Sequence, residues 1–172
     1  SGSRGRKVQC ACLWLEWPSP ARLSQGHIDS QWQEGDSQVK QELSYIKNDR
    51  YRESARVMLE LLPDYFYEVP ASSTGKYHPS FSLGDGGLVR HVKVAVRLGY
   101  EIIGGKTIGD KFTSDEKDLV LIALLLHDGL KSGLTKETYT RFDHPVLMAN
   151  YLKENKEKTK FTEKEIELLV GM

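Results

Sequence analysis

The chain is short of cysteine, of net charge and of long hydrophobic runs, and beyond its first quarter it has no tryptophan. Its two cysteines, Cys10 and Cys12, are too close together for an easy disulfide and too few for a metal site of their own. That scarcity points to a reducing, cytoplasmic setting. Lysine plus arginine and aspartate plus glutamate both number 24, so nothing in the balance suggests a protein that coats nucleic acid or a membrane. The longest apolar run, Leu119 to Leu126, is eight residues, far short of the ~20 that span a bilayer. Glu16 and Pro18 cut short the apolar stretch near the start, which makes a poor signal peptide. No segment alternates over strand length, and no repeat occurs. What is present fits one ordinary globular domain: 172 residues, 39% apolar and 28% charged.

The absences are unevenly placed. Trp14, Trp17, Trp32 and both cysteines all precede residue 39, in a stretch broken by Pro18, Pro20 and Gly26. From Val39 the texture turns charged, periodic and helix-forming. Two readings of residues 1–38 stay open. One is a disordered tail or tag. The other is translated leader: Gln33-Glu34-Gly35 can be encoded by AGGAGG, a bacterial ribosome-binding sequence, with Val39 as a GTG start. The opening Ser-Gly-Ser reads as a cloning remnant. Neither reading gives residues 1–38 a function, so the domain is expected to run from 39 to 172.

Within it the periodicity predicts helices. Tyr51, Ala55, Met58, Leu59 and Leu62 share one helix face, with Asp49 as cap and Pro63 as stop. Residues 65–83 read as an irregular stretch long enough to be functional. Gly86-Gly87 opens a second helix with Leu88, Val92, Ala95, Gly99 and Ile102 inward, His91 on the same side, and Gly104-Gly105 at its end. Thr113 with Glu116 caps a third helix, whose apolar run is expected to be buried all round. After a loop over 129–142, Asp143 caps a fourth helix with Pro145 in its first turn, and Thr162 with Glu165 caps a fifth. The charged run Lys153 to Lys160 reads as solvated surface. The expected class is an all-α bundle.

Chemistry is concentrated where the apolar run ends in His127-Asp128. An ionised Asp at the inner end of a core helix is costly unless something pairs with it. A divalent metal does so, because carboxylate oxygen and imidazole nitrogen both coordinate such ions. A His-Asp doublet alone is equally a hydrogen-bonded pair near a helix end. Its surroundings favour the metal: His91 lies on the preceding helix and His144 starts the following one, so three consecutive helices each bring a His.

Gly86-Gly87-Leu88-Val89-Arg90-His91, Ala123-Leu124-Leu125-Leu126-His127-Asp128 and Asp143-His144-Pro145, in that order, resemble the HD-domain superfamily of metal-dependent phosphohydrolases. The resemblance covers roughly residues 40–172. Pro70-Ala71-Ser72-Ser73 with Lys76-Tyr77-His78 resembles the loop before the first ligand in bacterial HD-domain 3′–5′ exoribonucleases. The resemblance implies His91, His127 and Asp128 as metal ligands, with His144 added where two ions are held. It implies Lys131 as a phosphate contact, beside Asp128 in the chemistry. Here the order is His-Asp-Gly-Leu-Lys rather than the commoner His-Asp-Ile-Gly-Lys. His78, Lys76 and Arg90 are further candidates for holding phosphate oxygens.

The pattern departs from the family in one respect: after His144 there is neither His nor Asp. Glu154, Glu157, Glu163, Glu165 and Glu167 remain, on faces expected to be exposed. The expectation is therefore an HD-like bundle incomplete at its C-terminus, with apolar surface at Leu147, Leu152, Ile166 and Leu169 left open to self-association. The implied activity is hydrolysis of a phosphate ester, in a nucleotide, another phosphorylated small molecule or an RNA end, with one or two ions of Mn, Fe, Ni, Co or Zn. The rival is an HD fold that has lost catalysis and serves as a regulatory or interaction domain.

Overall fold

The computed structural model describes residues 38–76 and 78–172. Residues 1–37, the subject of the tag and leader readings, lie outside the described residues, as does Tyr77. All regular elements among the described residues are helical. In chain order they are α1 (Lys40–Ser44), α2 (Asp49–Leu61), α3 (Tyr65–Glu68), α4 (Gly87–Gly104), α5 (Lys106–Gly109), α6 (Ser114–Leu126), α7 (His144–Glu154) and α8 (Glu163–Gly171). The 3-10 turns Ser80–Ser82 and Lys156–Lys158 complete the set. None of these helices is long and apolar enough to cross a membrane.

Helix α6 is the centre of the bundle, packed against α2, α4 and α8. Its start is a complete capping box: the Glu116 amide donates to Thr113 Oγ1 at 3.2 Å, and the Thr113 amide donates to Glu116 Oε2 at 2.7 Å. From there Leu119, Leu121, Ile122, Leu125 and Leu126 are buried among Met58, Leu59, Leu88 and Val92. Each such side chain contributes roughly 1.5–3 kcal/mol through burial. The run is not buried all round, because Val120, Ala123 and Leu124 are half-buried on one side.

The other helices correct details of the periodic reading. Tyr51, Ala55, Met58, Leu59 and Leu62 are all buried, but the cap of α2 is Asn48, whose side chain accepts from the Arg50 amide at 3.0 Å. Asp118 decides this from α6, accepting from the amides of Lys47 and Asn48 at 2.8–3.0 Å. The stretch 65–83 is not wholly irregular, since it contains α3 and the Ser80–Ser82 turn. Helix α4 points Val89, Val92, Val96 and Ile103 inward, whereas Ile102 is 53% exposed. Asp143 precedes α7 without a side-chain capping bond, because its carboxylate is held by Arg141 at 2.7 and 2.8 Å.

The C-terminal helix also differs from expectation. Leu152, Ile166 and Leu169 are buried and Leu147 is half-buried, so little of these side chains is left open. Glu165 is not on a free face either: Arg50 grips it through two bonds of 2.6 and 2.8 Å, and Tyr51 Oη donates to it at 2.7 Å. A groove of about 470 Å³ lies between α6, α7 and α8, with Leu124, Met148, Leu152, Leu169 and Met172 among its lining residues.

Candidate metal centre

Three elements meet at the C-terminal end of α6. Helix α4 carries His91 in its first turns, α6 delivers His127 as its C-cap and Asp128 just beyond, and α7 begins with His144. Each is placed by close packing. Gly87 starts α4 where a Cβ would sit 2.1 Å from the Ser82 carbonyl oxygen, so only glycine lets the 70–83 loop lie against this helix. After Asp128 the chain makes a tight turn with Gly129 against Leu62 and Leu130 fully buried. The Gly-Leu order is thereby accommodated, and Lys131 faces back to Asp128. Tyr65 steadies the adjoining turn, donating to the Gly133 carbonyl at 2.5 Å and accepting from the Ser132 amide at 3.2 Å.

The buried carboxylate of Asp128 is the focus. Three imidazoles turn Nε2 toward it: His144 at 3.1 Å from Oδ1, His127 at 3.4 Å from Oδ2, and His91 at 3.7 Å from Oδ2. Ligand atoms of His91, His127 and Asp128 all lie within 4.8 Å of one another, so these three could hold one metal ion. His144 meets the opposite carboxylate oxygen. Lys131 Nζ donates to Oδ2 at 2.7 Å.

The hydrogen bonds define which imidazole nitrogens are free. His127 Nδ1 donates to the Leu124 carbonyl at 2.7 Å, and His144 Nδ1 to the Arg141 carbonyl at 2.5 Å. A carbonyl only accepts, so both Nδ1 atoms carry a proton, and Nε2 meets Asp128 either as the second N–H of an imidazolium or, in a neutral ring, as a lone pair. Lone pair facing carboxylate is repulsive. A proton or a metal ion must therefore stand between them, and carbonyl-oriented histidines of this kind are the usual support of a metal ligand.

The proton affinities reflect these contacts. Burial pushes the Asp128 carboxyl up, but hydrogen bonds from His127 and His144, with the charges of His127 and Lys131, hold it well below the usual range. Burial pushes His127 down and is outweighed by its bond to Asp128 and that carboxylate's charge, so His127 is raised. His144 is raised chiefly by its bond to Asp128. His91 is lowered, chiefly by burial and against the pull of Asp128. His78 is also lowered by burial, with Lys131 adding to the effect.

The remaining candidates separate. His78 packs edge-on against His91, with ring centres 4.9 Å apart. Lys76 is exposed, and no described hydrogen bond or ion pair joins it to the cluster. Arg90 is not free for a phosphate: its guanidinium donates to the carbonyls of Phe81, Leu83 and Asp85 at 2.6–2.8 Å and ties the loop to α4. Lys131 is not poised on open solvent, because it is buried against Asp128. Sequence reasoning missed Tyr65 and the Leu124 and Arg141 carbonyls. A carbonyl leaves no residue-type signal, and Tyr65 lies 68 residues from its partner.

Compared with family models, with curated proteins and with solved structures, the chain has no match.

Proposed function

We propose that the chain is an HD-type, metal-dependent phosphohydrolase that cleaves a phosphate ester of a nucleotide or nucleic-acid end. The observation that carries this reading is the pair of Nδ1-anchored imidazoles turning Nε2 toward one buried carboxylate, with His91 beside them. That donor set, two or three imidazoles and a carboxylate, suits a divalent transition ion such as Mn, Fe, Co, Ni or Zn. Held by His91, His127 and Asp128, the ion would supply an activated water and neutralise charge on the phosphoryl oxygens.

The protein's own groups divide the remaining work. His144, on Oδ1, fixes the rotation of the Asp128 carboxylate and stands where a second ion would be held. Lys131 neutralises Asp128 in the metal-free protein. With an ion bound at Asp128, Lys131 would give up this bond and its ammonium would be available to a phosphate oxygen. Small phosphorylated molecules fit better than a long RNA. A basic groove lined by Lys40, Arg50, Arg52, Arg56 and Lys160 has its arginines already engaged by Glu165, Asp49, Glu53 and Glu60.

The 2.7 Å Lys131–Asp128 contact also favours a second reading, an HD fold whose built-in cation has replaced the metal and which acts as an interaction domain. The test is calorimetric titration with Mn²⁺, Co²⁺ and Zn²⁺, followed by assay of phosphate esters with the loaded protein. Stoichiometric binding with phosphate release supports the enzyme. Absence of binding at micromolar metal overturns it in favour of the interaction domain.

A further inference from the structure

His78 carries an unexplained cost. Its Nδ1 is fully buried and has no hydrogen-bond partner. A buried polar atom left unpaired costs on the order of 1–3 kcal/mol. The loop that carries it is not loosely attached. Ala71 N donates to the Ser82 carbonyl at 3.0 Å, Leu88 N to the Val69 carbonyl at 2.9 Å, and Arg90 holds three further carbonyls. Both ends are thus pinned to the helix that carries His91, while Ser73 to Lys76 between them are exposed. This framework presses the His78 ring edge-on to His91 at an interplanar angle of 80°.

The spacing of the rings has a simple interpretation. An imidazole bound through nitrogen at about 2.0–2.1 Å puts its ring centre about 3.2 Å from the ion, so two rings at a tetrahedral angle lie about 5 Å apart. His91 and His127 have centres 5.6 Å apart, and His78 and His91 4.9 Å. His91 therefore stands between two neighbours, each at a separation compatible with a shared ion.

We propose that His78 is a further metal ligand, brought by the 70–83 loop to the ion held by His91, His127 and Asp128. Its orphaned Nδ1 is the donor atom, and a turn of the ring that brings it to the ion would complete a set of three imidazoles and one carboxylate. The inference rests on the metal reading above. It assigns His78 to the ion rather than to the substrate phosphate.

The experiment uses the full chain and Co²⁺ alone, followed by visible absorption and calorimetry, on wild type, His78→Ala, His78→Gln and His91→Ala. Wild type should show the intense bands of a low-coordinate cobalt site. Both His78 variants should bind about tenfold or more weakly with altered bands, and His91→Ala should be weaker still. A parallel measurement avoids mutation: on adding Zn²⁺, the ¹⁵N resonance of His78 Nδ1 should move to the range of a metal-bound nitrogen. Wild-type affinity and spectrum in both variants, with an unmoved His78 resonance, overturn the assignment and leave the metal site standing. Failure of wild type to bind Co²⁺ overturns the metal reading itself.

Discussion

Two carboxylates of this molecule sit among cationic and polar partners, and they are built differently. Glu165 has every side filled at close range: Arg50 at 2.6 and 2.8 Å, Tyr51 Oη at 2.7 Å and the Thr162 amide at 2.7 Å. Asp128 has one contact as short, from Lys131, while its three imidazoles turn Nε2 toward it at 3.1, 3.4 and 3.7 Å. Glu165 is complete as it stands and holds α8 on α2. The spacing around Asp128 leaves room for the ion that His91, His127 and Asp128 could hold. Contact distance, more than burial, separates these two carboxylates.

The largest effect that probes the contrast is Asp128→Asn. It keeps the shape but removes the charge that three imidazoles and a lysine surround. Metal binding by calorimetry should be lost, and phosphate release should fall by several kcal/mol of transition-state stabilisation, on the order of 10³-fold. The reciprocal change Glu165→Gln should leave metal binding unaltered. If both variants bind metal as wild type does, the distinction between the two carboxylates is wrong.

Lys131→Met should come next and split two properties. Removing the internal cation leaves Asp128 Oδ2 to the metal alone, so Co²⁺ affinity should rise, by about tenfold. Turnover should fall by ~10²-fold, because the ammonium no longer meets the phosphate. A variant in which affinity and turnover both drop would make Lys131 a structural counter-ion.

The Glu165 side of the comparison is sharpened by pH. Arg50 above all, then the Thr162 amide and Tyr51, outweigh burial and hold this carboxyl at about 2, against an ordinary 4.5. Because the folded value is depressed, the stabilisation is fully present above pH 4.5 and is lost as pH falls toward 2. Arg50 is about a third exposed, so screening reduces the full shift to about 2 kcal/mol. The melting temperature of wild type should therefore fall more steeply than that of Glu165→Gln over this window. Parallel curves would show that the ion pair contributes nothing.

Much of this was legible in the chain because it is local. The two capping boxes, Thr113 with Glu116 and Thr162 with Glu165, each span three residues, and both form. The buried face of α2 follows from periodicity, and the ordered His91, His127 and Asp128 converge. The illegible parts are partnerships across the fold. Asn48 rather than Asp49 caps α2 because Asp118, 70 residues away, takes the amide beside it. Glu165 looked exposed because Arg50 is 115 residues distant. Ile102 and Ile103 are both apolar, and only the packing of α4 on α6 selects the second. That Lys131 reaches back three residues to Asp128 is visible only in the fold.

The smallest expected effect concerns the loop that holds Lys131 in place. Tyr65 is 5% exposed and sends its hydroxyl across to residues 132 and 133, donating to one backbone group and accepting from the other. Tyr65→Phe keeps the ring in the core but leaves the Gly133 carbonyl and the Ser132 amide without this partner. Stability should drop by about 1 kcal/mol, the net worth of an intramolecular hydrogen bond. Hydrogen exchange should quicken at the 132 and 133 amides, with α2 and α8 unaffected, since Glu165 fastens those helices independently. If Tyr65 also positions Lys131 through this loop, KM for a phosphate ester should rise while metal affinity stays constant, because His91, His127 and Asp128 do not depend on residues 132–133. Loosening of α8 to the same extent would mean that the two carboxylate regions are coupled, and their contrast would have to be redrawn as one network.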